Sequence, residues 1–376
     1  MHVTLHLTSG CNMDCRYCYV DRQHIQTMTP ETARAAVDMA SALSTKDGST
    51  GIIFFGGEPL LCKGLIQETV DYAEGVARDG GKRFHFKITT NGLLLDDAFL
   101  DYAEAHRIFI ALSLDGTGQA HNAHRIDLAG VGTYDRVEDA ARRLLKRFPY
   151  TPVMMTVNPD TSRHYCDSVK HVFNLGFRYI ICSLNYAAPW TERDIEELRR
   201  QYRRMADYYY DLTVAEEKFY LSPFEVKVSS HVNRRTYCQE RCELGKKQIS
   251  VGPDGLLYPC VQFVGDNGFP IGTVATGIDE ARRESLFRQN EQEKETCVDC
   301  AIRARCNHTC GCLNRQATGS IDLVSPVLCA HERLLLPIAD RLAGRLYRKR
   351  NAMFIQKHYN DFYPIVSLVE DRTRAQ

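Results

Sequence analysis

The chain has 376 residues, with 47 basic and 47 acidic side chains and therefore no net charge. That balance excludes a basic footprint for nucleic acid, and no apolar run reaches the roughly 20 residues of a membrane span. Met1-His-Val-Thr-Leu-His6 lacks the charged-then-apolar build of a secretion signal, so a cytoplasmic protein is expected, and its fifteen cysteines point to metal or cluster ligation in place of disulfides.

Residues 2–8 alternate like a strand, and Cys11-Asn-Met-Asp-Cys15-Arg-Tyr17-Cys18 follows directly. This C-x3-C-x2-C spacing offers three thiolates, where a ferredoxin-type cluster takes four and a structural zinc site takes four ligands at paired spacings. The triplet therefore reads as a cubane iron–sulfur cluster with one iron open to a small molecule. A helix is predicted over 30–46, with Pro30 in its first turn and Thr29 as its cap. Residues 51–55 form an apolar run of the kind a buried parallel strand shows. A helix near 65–78 follows, then strands at 83–89, 108–114, 152–157 and 178–184, with helices near 96–105, 134–147 and 163–174 between them. Such alternation predicts βαβ units and a parallel sheet. Six strands make a partial (β/α)6 TIM-like barrel, and a doubly wound sheet is the alternative.

The candidate motifs fall at the C-terminal ends of these strands, the ligand end of α/β folds. Gly56-Gly57-Glu58-Pro59 follows the second strand, and its glycines admit close backbone approach. Thr89-Thr90-Asn91-Gly92 ends the third, where a plain Asn-Gly turn is the competing reading. Ser113-Leu-Asp115-Gly116 ends the fourth, with Arg125 downstream as a carboxylate clamp or a loop-bracing ion pair. Leu184 ends the sixth, for packing against a ligand or against the core.

Residues 191–235 are charged and tyrosine-rich and read as a bridging helical region. Cysteines then concentrate: Cys238, Cys242, Cys260 after a Pro253-Asp254-Gly255 turn, then Cys297, Cys300, Cys306, Cys310 and Cys329. Eight thiols make two four-cysteine sites, as iron–sulfur clusters or as zinc ribbons. This part, 236–335, shows little apolar core, so metal ligation is expected to supply its folding free energy. Residues 336–376 read as a helical tail. Cys62, Cys166, Cys182 and Cys312 are left over, and Cys312, two residues beyond Cys310, is a spare or a substitute ligand.

The triplet with Tyr17 in its aromatic slot resembles the signature of the radical S-adenosylmethionine (SAM) superfamily. The later cysteines match the seven-cysteine SPASM extension of its peptide-modifying members. The resemblance implies a (β/α)6 radical SAM core over 1–190. Cys11, Cys15 and Cys18 would hold a [4Fe-4S] cluster whose open iron chelates SAM. It implies SAM contacts from Tyr17, Gly56, Gly57, Glu58, Asn91, Ser113, Asp115, Arg125 and Leu184. It further implies auxiliary cluster I on Cys238, Cys242, Cys260 and Cys310 and auxiliary cluster II on Cys297, Cys300, Cys306 and Cys329, three cubanes in all. The expected activity is oxidative modification of a ribosomal precursor peptide, with thioether crosslinking from Cys as the leading chemistry. Formylglycine formation in sulfatases, carbon–carbon crosslinking and epimerisation are the alternatives, and an iron–sulfur electron carrier is the non-enzyme alternative. Val261 stands where sulfatase-maturing enzymes carry an aspartate base, which weakens the formylglycine reading. The barrel pattern starts at the first residue and leaves no room for a leader-binding module, so leader recognition falls to a separate protein, to the SPASM surface, or to neither. A flavodoxin- or ferredoxin-type reductant is the expected electron donor.

Overall fold

The computed structural model describes residues 2–21, 24–44, 48–233 and 242–374, without the side chains of 368 and 370–374. Its centre is a parallel sheet made from β1 (His2–Thr8), β2 (Ser49–Gly56), β3 (Arg83–Thr90), β4 (Phe109–Ser113), β5 (Pro152–Val157) and β6 (Tyr179–Leu184). Helices α1 (Pro30–Leu43), α2 (Lys63–Gly80), α3 (Asp97–Ala105), α4 (Gly118–Asn122), α5 (Tyr134–Arg147) and α6 (Tyr165–Leu175) connect them. Strands appear in the sheet in chain order, each parallel to the last. The partial barrel is thus the observed architecture. The predicted cap is present too: Thr29 accepts from the Thr32 amide at 3.2 Å, with Pro30 opening α1. Val3, Leu5 and Leu7 of β1 and Ile52 and Phe54 of β2 are fully buried, which is why these segments read as apolar runs.

The C-terminal half is not a separate body hung from this barrel. The bridging region forms α7 (Glu192–Val214), β7 (Tyr220–Leu221) and α8 (Ser222–Val232), and β7 pairs in parallel with β6. At the other edge β8 (Gln248–Val251) pairs in parallel with β1, and β9 (Leu257–Tyr258) pairs antiparallel with β8. One nine-stranded sheet, ordered β7-β6-β5-β4-β3-β2-β1-β8-β9, therefore runs through both halves. A short hairpin of β10 (Gly272–Thr273) and β11 (Gly277–Ile278) follows, then α9 (Glu280–Glu291), α10 (Gly311–Thr318), α11 (Pro326–Lys349), α12 (Ala352–Tyr359) and α13 (Tyr363–Arg374).

Two expectations change. The cysteine-rich part does have an apolar core: Ile249, Val251, Leu257, Tyr258 and Phe263 are at most 2 % exposed and belong to the same cluster as the barrel core. Of its short strands, β8 takes its partner from the barrel in β1, and β9 is attached through β8. The boundary drawn at 335/336 falls inside α11, which carries Cys329 in its first turn and continues to Lys349.

α11 is fastened to α7 and α8 by buried polar groups. Lys227 and Glu332 form an ion pair at 2.6 Å, and His331 lies between the hydroxyls of Tyr186 and Tyr202, each 2.8 Å away. Burial pushes the imidazoles of His6, His121 and His331 down to about 3 and that of His358 to about 4, from the ordinary 6.5. Below 6.5 the unfolded chain takes up protons that the folded chain refuses, so stability falls as pH falls. The urea midpoint is expected to decline steadily as pH drops through 6.5 towards the folded values; a midpoint that stays constant across that window contradicts this.

Candidate active site

The C-terminal ends of the barrel strands open into a cavity of about 350 Å³. Cys11, Cys15, Tyr17 and Cys18 of the loop after β1 form one wall, with Gly56, Gly57 and Glu58 after β2 and Thr90 and Asn91 after β3. Ser113, Arg125, Met154, Thr156 and Leu184 add the far side. Three of the predicted motifs thus converge on the predicted cysteine triplet. Burial pushes the Cys11 thiol up to about 11, while its sulfur accepts from the Met13 amide at 3.4 Å and from Asn91 Nδ2 at 3.8 Å. Three thiols on one cavity wall suit a cluster with an open iron, and donors to a ligating sulfur are a lever on its potential.

The glycine pair has a different use from the one expected. Gly56 adopts φ +128°, and Cβ atoms placed on Gly56 and Gly57 would lie 2.4 Å from the Thr8 carbonyl oxygen and 2.1 Å from that of Gly10. The close approach is to the cysteine loop itself. Gly57 N–H donates to Thr8 O at 2.7 Å and Glu58 N–H to Gly10 O at 2.9 Å, so the two loops are stitched backbone to backbone. The Glu58 carboxylate, 1 % exposed, accepts from the Leu60 amide, the Thr90 hydroxyl and the Asn91 amide at 3.0, 2.7 and 2.8 Å. Burial raises its pKa despite these donors. It ties the end of β2 to the end of β3.

Asp115 lies behind the cavity wall. Its carboxylate accepts from Arg125 Nε and Nη2 at 2.9 and 3.2 Å, from the Tyr17 hydroxyl at 2.5 Å and from the Thr156 amide at 2.8 Å. The Arg125 guanidinium also faces the Tyr17 ring, 5.4 Å from its centroid. Asp115 therefore anchors both the arginine and the cysteine loop, and Arg125 reaches the cavity from that anchor.

The remaining wall comes from the C-terminal half and was not foreseen: Gln262 two residues after Cys260, and Leu313 and Gln316 on α10. Tyr19, next to Cys18, also lines the cavity, within electrostatic reach of Cys18, Cys260 and Cys312. Only its position beside a cysteine of the predicted triplet could have flagged it. A second cavity of about 330 Å³ shares Ser183, Leu184, Tyr186 and Leu313 with the first and ends at Lys227, His331 and Glu332.

Among the described residues, Cys242, Cys260 and Cys310 share one neighbourhood and Cys300, Cys306 and Cys329 another. Cys242 lies within electrostatic reach of Cys310 and Cys260, and its thiol is pushed up to about 12, chiefly by burial. Cys238 lies outside the described residues. Cys306 is near Cys329, and the Arg333 guanidinium meets Cys329 and Cys300, a positive partner suited to a thiolate set. Cys297 is 7 % exposed in the loop before Cys300. Among the described residues no three Cys, His, Asp or Glu side chains close around a single ion. No helix among them is long and apolar enough to cross a membrane.

Residues 5–172 match the family model described as the radical SAM superfamily. The chain is 23 % identical over 338 residues to the cysteine-type anaerobic sulfatase-maturating enzyme of Clostridium perfringens (strain 13 / Type A), covering 81 % of this chain and 86 % of the relative. It is 22 % identical over 321 residues to the serine-type anaerobic sulfatase-maturating enzyme of Klebsiella aerogenes, covering 80 % and 77 %. Among solved structures it superposes on native anSMEcpe with bound AdoMet at TM-score 0.80, with 18 % identity over 92 % of this chain and 99 % of that one. It superposes on Streptococcus suis SuiB bound to precursor peptide SuiA at 0.62, with 14 % identity over 87 % and 75 %. At such identities the superpositions establish a shared fold.

Proposed function

We propose that the chain, whose residues 5–172 match the radical SAM superfamily, is a radical SAM peptide maturase that oxidatively modifies a ribosomally made precursor, joining a cysteine thiol to a carbon of another residue. The observation that carries the reading is the shared chamber: one wall is the cysteine triplet with its glycine-stitched loop, and the facing wall is Gln262, Leu313 and Gln316 beside the second cysteine group. A peptide side chain held there lies between a site of radical generation and a site that can accept an electron.

On this reading Cys11, Cys15 and Cys18 hold the first cluster. Gly56 and Gly57 fix the loop beside the methionine end of SAM, Arg125 presents its remaining N–H groups to the carboxylate, and Ser113, Asn91 and Leu184 line the nucleoside side. Bound SAM and its cluster supply a 5′-deoxyadenosyl radical for hydrogen abstraction. The auxiliary cysteine groups would hold clusters, and those would supply an electron acceptor beside the chamber. The second cavity, ending at the buried Lys227–Glu332 pair, receives a neighbouring polar side chain of the peptide. A flavodoxin- or ferredoxin-type donor supplies the first electron.

A second reading, formylglycine formation, is favoured by the relatives named above and opposed by Val261. The test is anaerobic incubation of reconstituted protein with SAM, dithionite and two peptide sets, one cysteine-rich and one carrying a sulfatase-type Cys or Ser. Thioether chemistry removes two hydrogens and keeps the sulfur. An aldehyde trapped by hydrazine would establish the second reading instead, and absence of 5′-deoxyadenosine would remove both.

A further inference from the structure

We infer that the outer face of α13 is a self-association surface through which two copies of this chain pair. Among the described residues fifteen large apolar side chains are exposed, and six of them lie between Tyr347 and Val369. Phe362, Ile365, Val366 and Val369 are 70 %, 63 %, 41 % and 56 % exposed. The Phe362 carbonyl accepts from the Ile365 and Val366 amides at 3.0 and 3.1 Å, so these four residues follow the i, i+3, i+4, i+7 spacing of one helix face. Tyr359 and Tyr347 continue the patch on α12 and α11, their rings 5.8 Å apart.

An amphipathic helix ordinarily turns such a stripe towards the core, and α13 does the reverse. Its barrel side carries Tyr363 and Ser367, which line a cavity of about 460 Å³ together with Tyr179 and Tyr220. Lys218 Nζ donates to the Ser367 carbonyl at 2.7 Å, which holds this side inward. A continuous exposed stripe of this kind marks an interaction surface, and a second copy matches it. A twofold axis sets each stripe against the same stripe. With roughly 150–250 Å² for a large side chain, the patch buries about 600 Å² per copy and about 1,200 Å² in the pair, where stable interfaces begin. The placement leaves the chamber free. Tyr179 opens β6 and Leu184 closes it, so α13 lies at the end of the sheet away from the chamber that Leu184 lines. Paired copies stand back to back, each with its chamber open to a peptide.

Light scattering after anaerobic size exclusion measures the mass of the whole chain at high micromolar concentration, beside Phe362→Glu, Ile365→Glu and Leu128→Glu. Leu128, in the loop after α4, is 70 % exposed outside the patch and serves as the control. The unaltered chain and Leu128→Glu are expected at about twice the chain mass of 42.8 kDa. Phe362→Glu and Ile365→Glu are expected at the single-chain mass. Both positions face water in one copy, so the added carboxylate leaves the fold intact, and an unchanged far-ultraviolet circular dichroism spectrum checks this. A monomeric unaltered chain overturns the inference. So does a dimer that survives both α13 substitutions, or one that Leu128→Glu dissociates as well. If one of the α13 variants does not fold, the other decides alone: a monomer supports the surface and a dimer overturns it.

Discussion

Gly57→Ala is expected to abolish 5′-deoxyadenosine formation and strip iron from the N-terminal triplet while leaving the C-terminal iron in place. The added methyl would sit 2.1 Å from the Gly10 carbonyl oxygen, a backbone atom one residue before Cys11. It cannot swing aside as a side chain would. Relief requires parting the two loops, which breaks the hydrogen bonds from Gly57 to Thr8 and from Glu58 to Gly10. Overpacking of this kind costs about 1–3 kcal/mol, and the loop that must hold the cluster bears the displacement. Gly64→Ala is the control, because a Cβ there meets nothing within 4 Å. The measurement is iron per chain with 5′-deoxyadenosine yield; a Gly57→Ala protein with full iron and undiminished yield contradicts the stitched-loop account.

Asp115→Asn is expected to lower stability by about 3–5 kcal/mol, the cost of leaving a buried cation unpaired. The side chains of Arg125 and Asp115 are 9 % and 3 % exposed, so solvent cannot compensate. Each carboxylate oxygen accepts from two donors, Arg125 Nη2 and the Thr156 amide on Oδ1 and Arg125 Nε and the Tyr17 hydroxyl on Oδ2, so the amide's N–H group would face two donors. The anchor of Arg125 and Tyr17 is weakened at the same time, so SAM binding is expected to weaken together with stability. Denaturant midpoints for Asp115→Asn, Arg125→Gln and the double variant form a cycle. A double variant no less stable than Asp115→Asn alone supports the pairing, and additive losses contradict it.

The cysteine spacing pointed to one wall of the cavity, because a ligand set constrains residue type and separation more tightly than packing does, and the structure places Cys11, Cys15 and Cys18 on that wall. The six barrel strands were legible because burial on both faces leaves continuous apolar runs. What could not be read was partnership. Nothing in Gly56-Gly57 says whether backbone approaches a ligand or another loop, and only the register of β1 against β2 decides it. Glu58 and Asp115 read as ligand contacts, and their oxygens accept from protein groups: the Leu60 and Asn91 amides and the Thr90 hydroxyl at Glu58, and Arg125, the Tyr17 hydroxyl and the Thr156 amide at Asp115. Gln262, Leu313 and Gln316 reach the chamber through the parallel pairing of β8 with β1, a contact some 240 residues apart that no local pattern announces.

That same pairing has a mechanical consequence. β1 leads into the first cysteine loop, and β8 leads through β9 to Cys260, so the strands that lead to the two cysteine groups are neighbours in one hydrogen-bonded lattice. A hinge between the halves would have to shear that lattice. The separation of the two cysteine groups is therefore fixed by the backbone, like marks on a ruler, and clusters held there would keep one electron-transfer distance however a bound peptide rearranged.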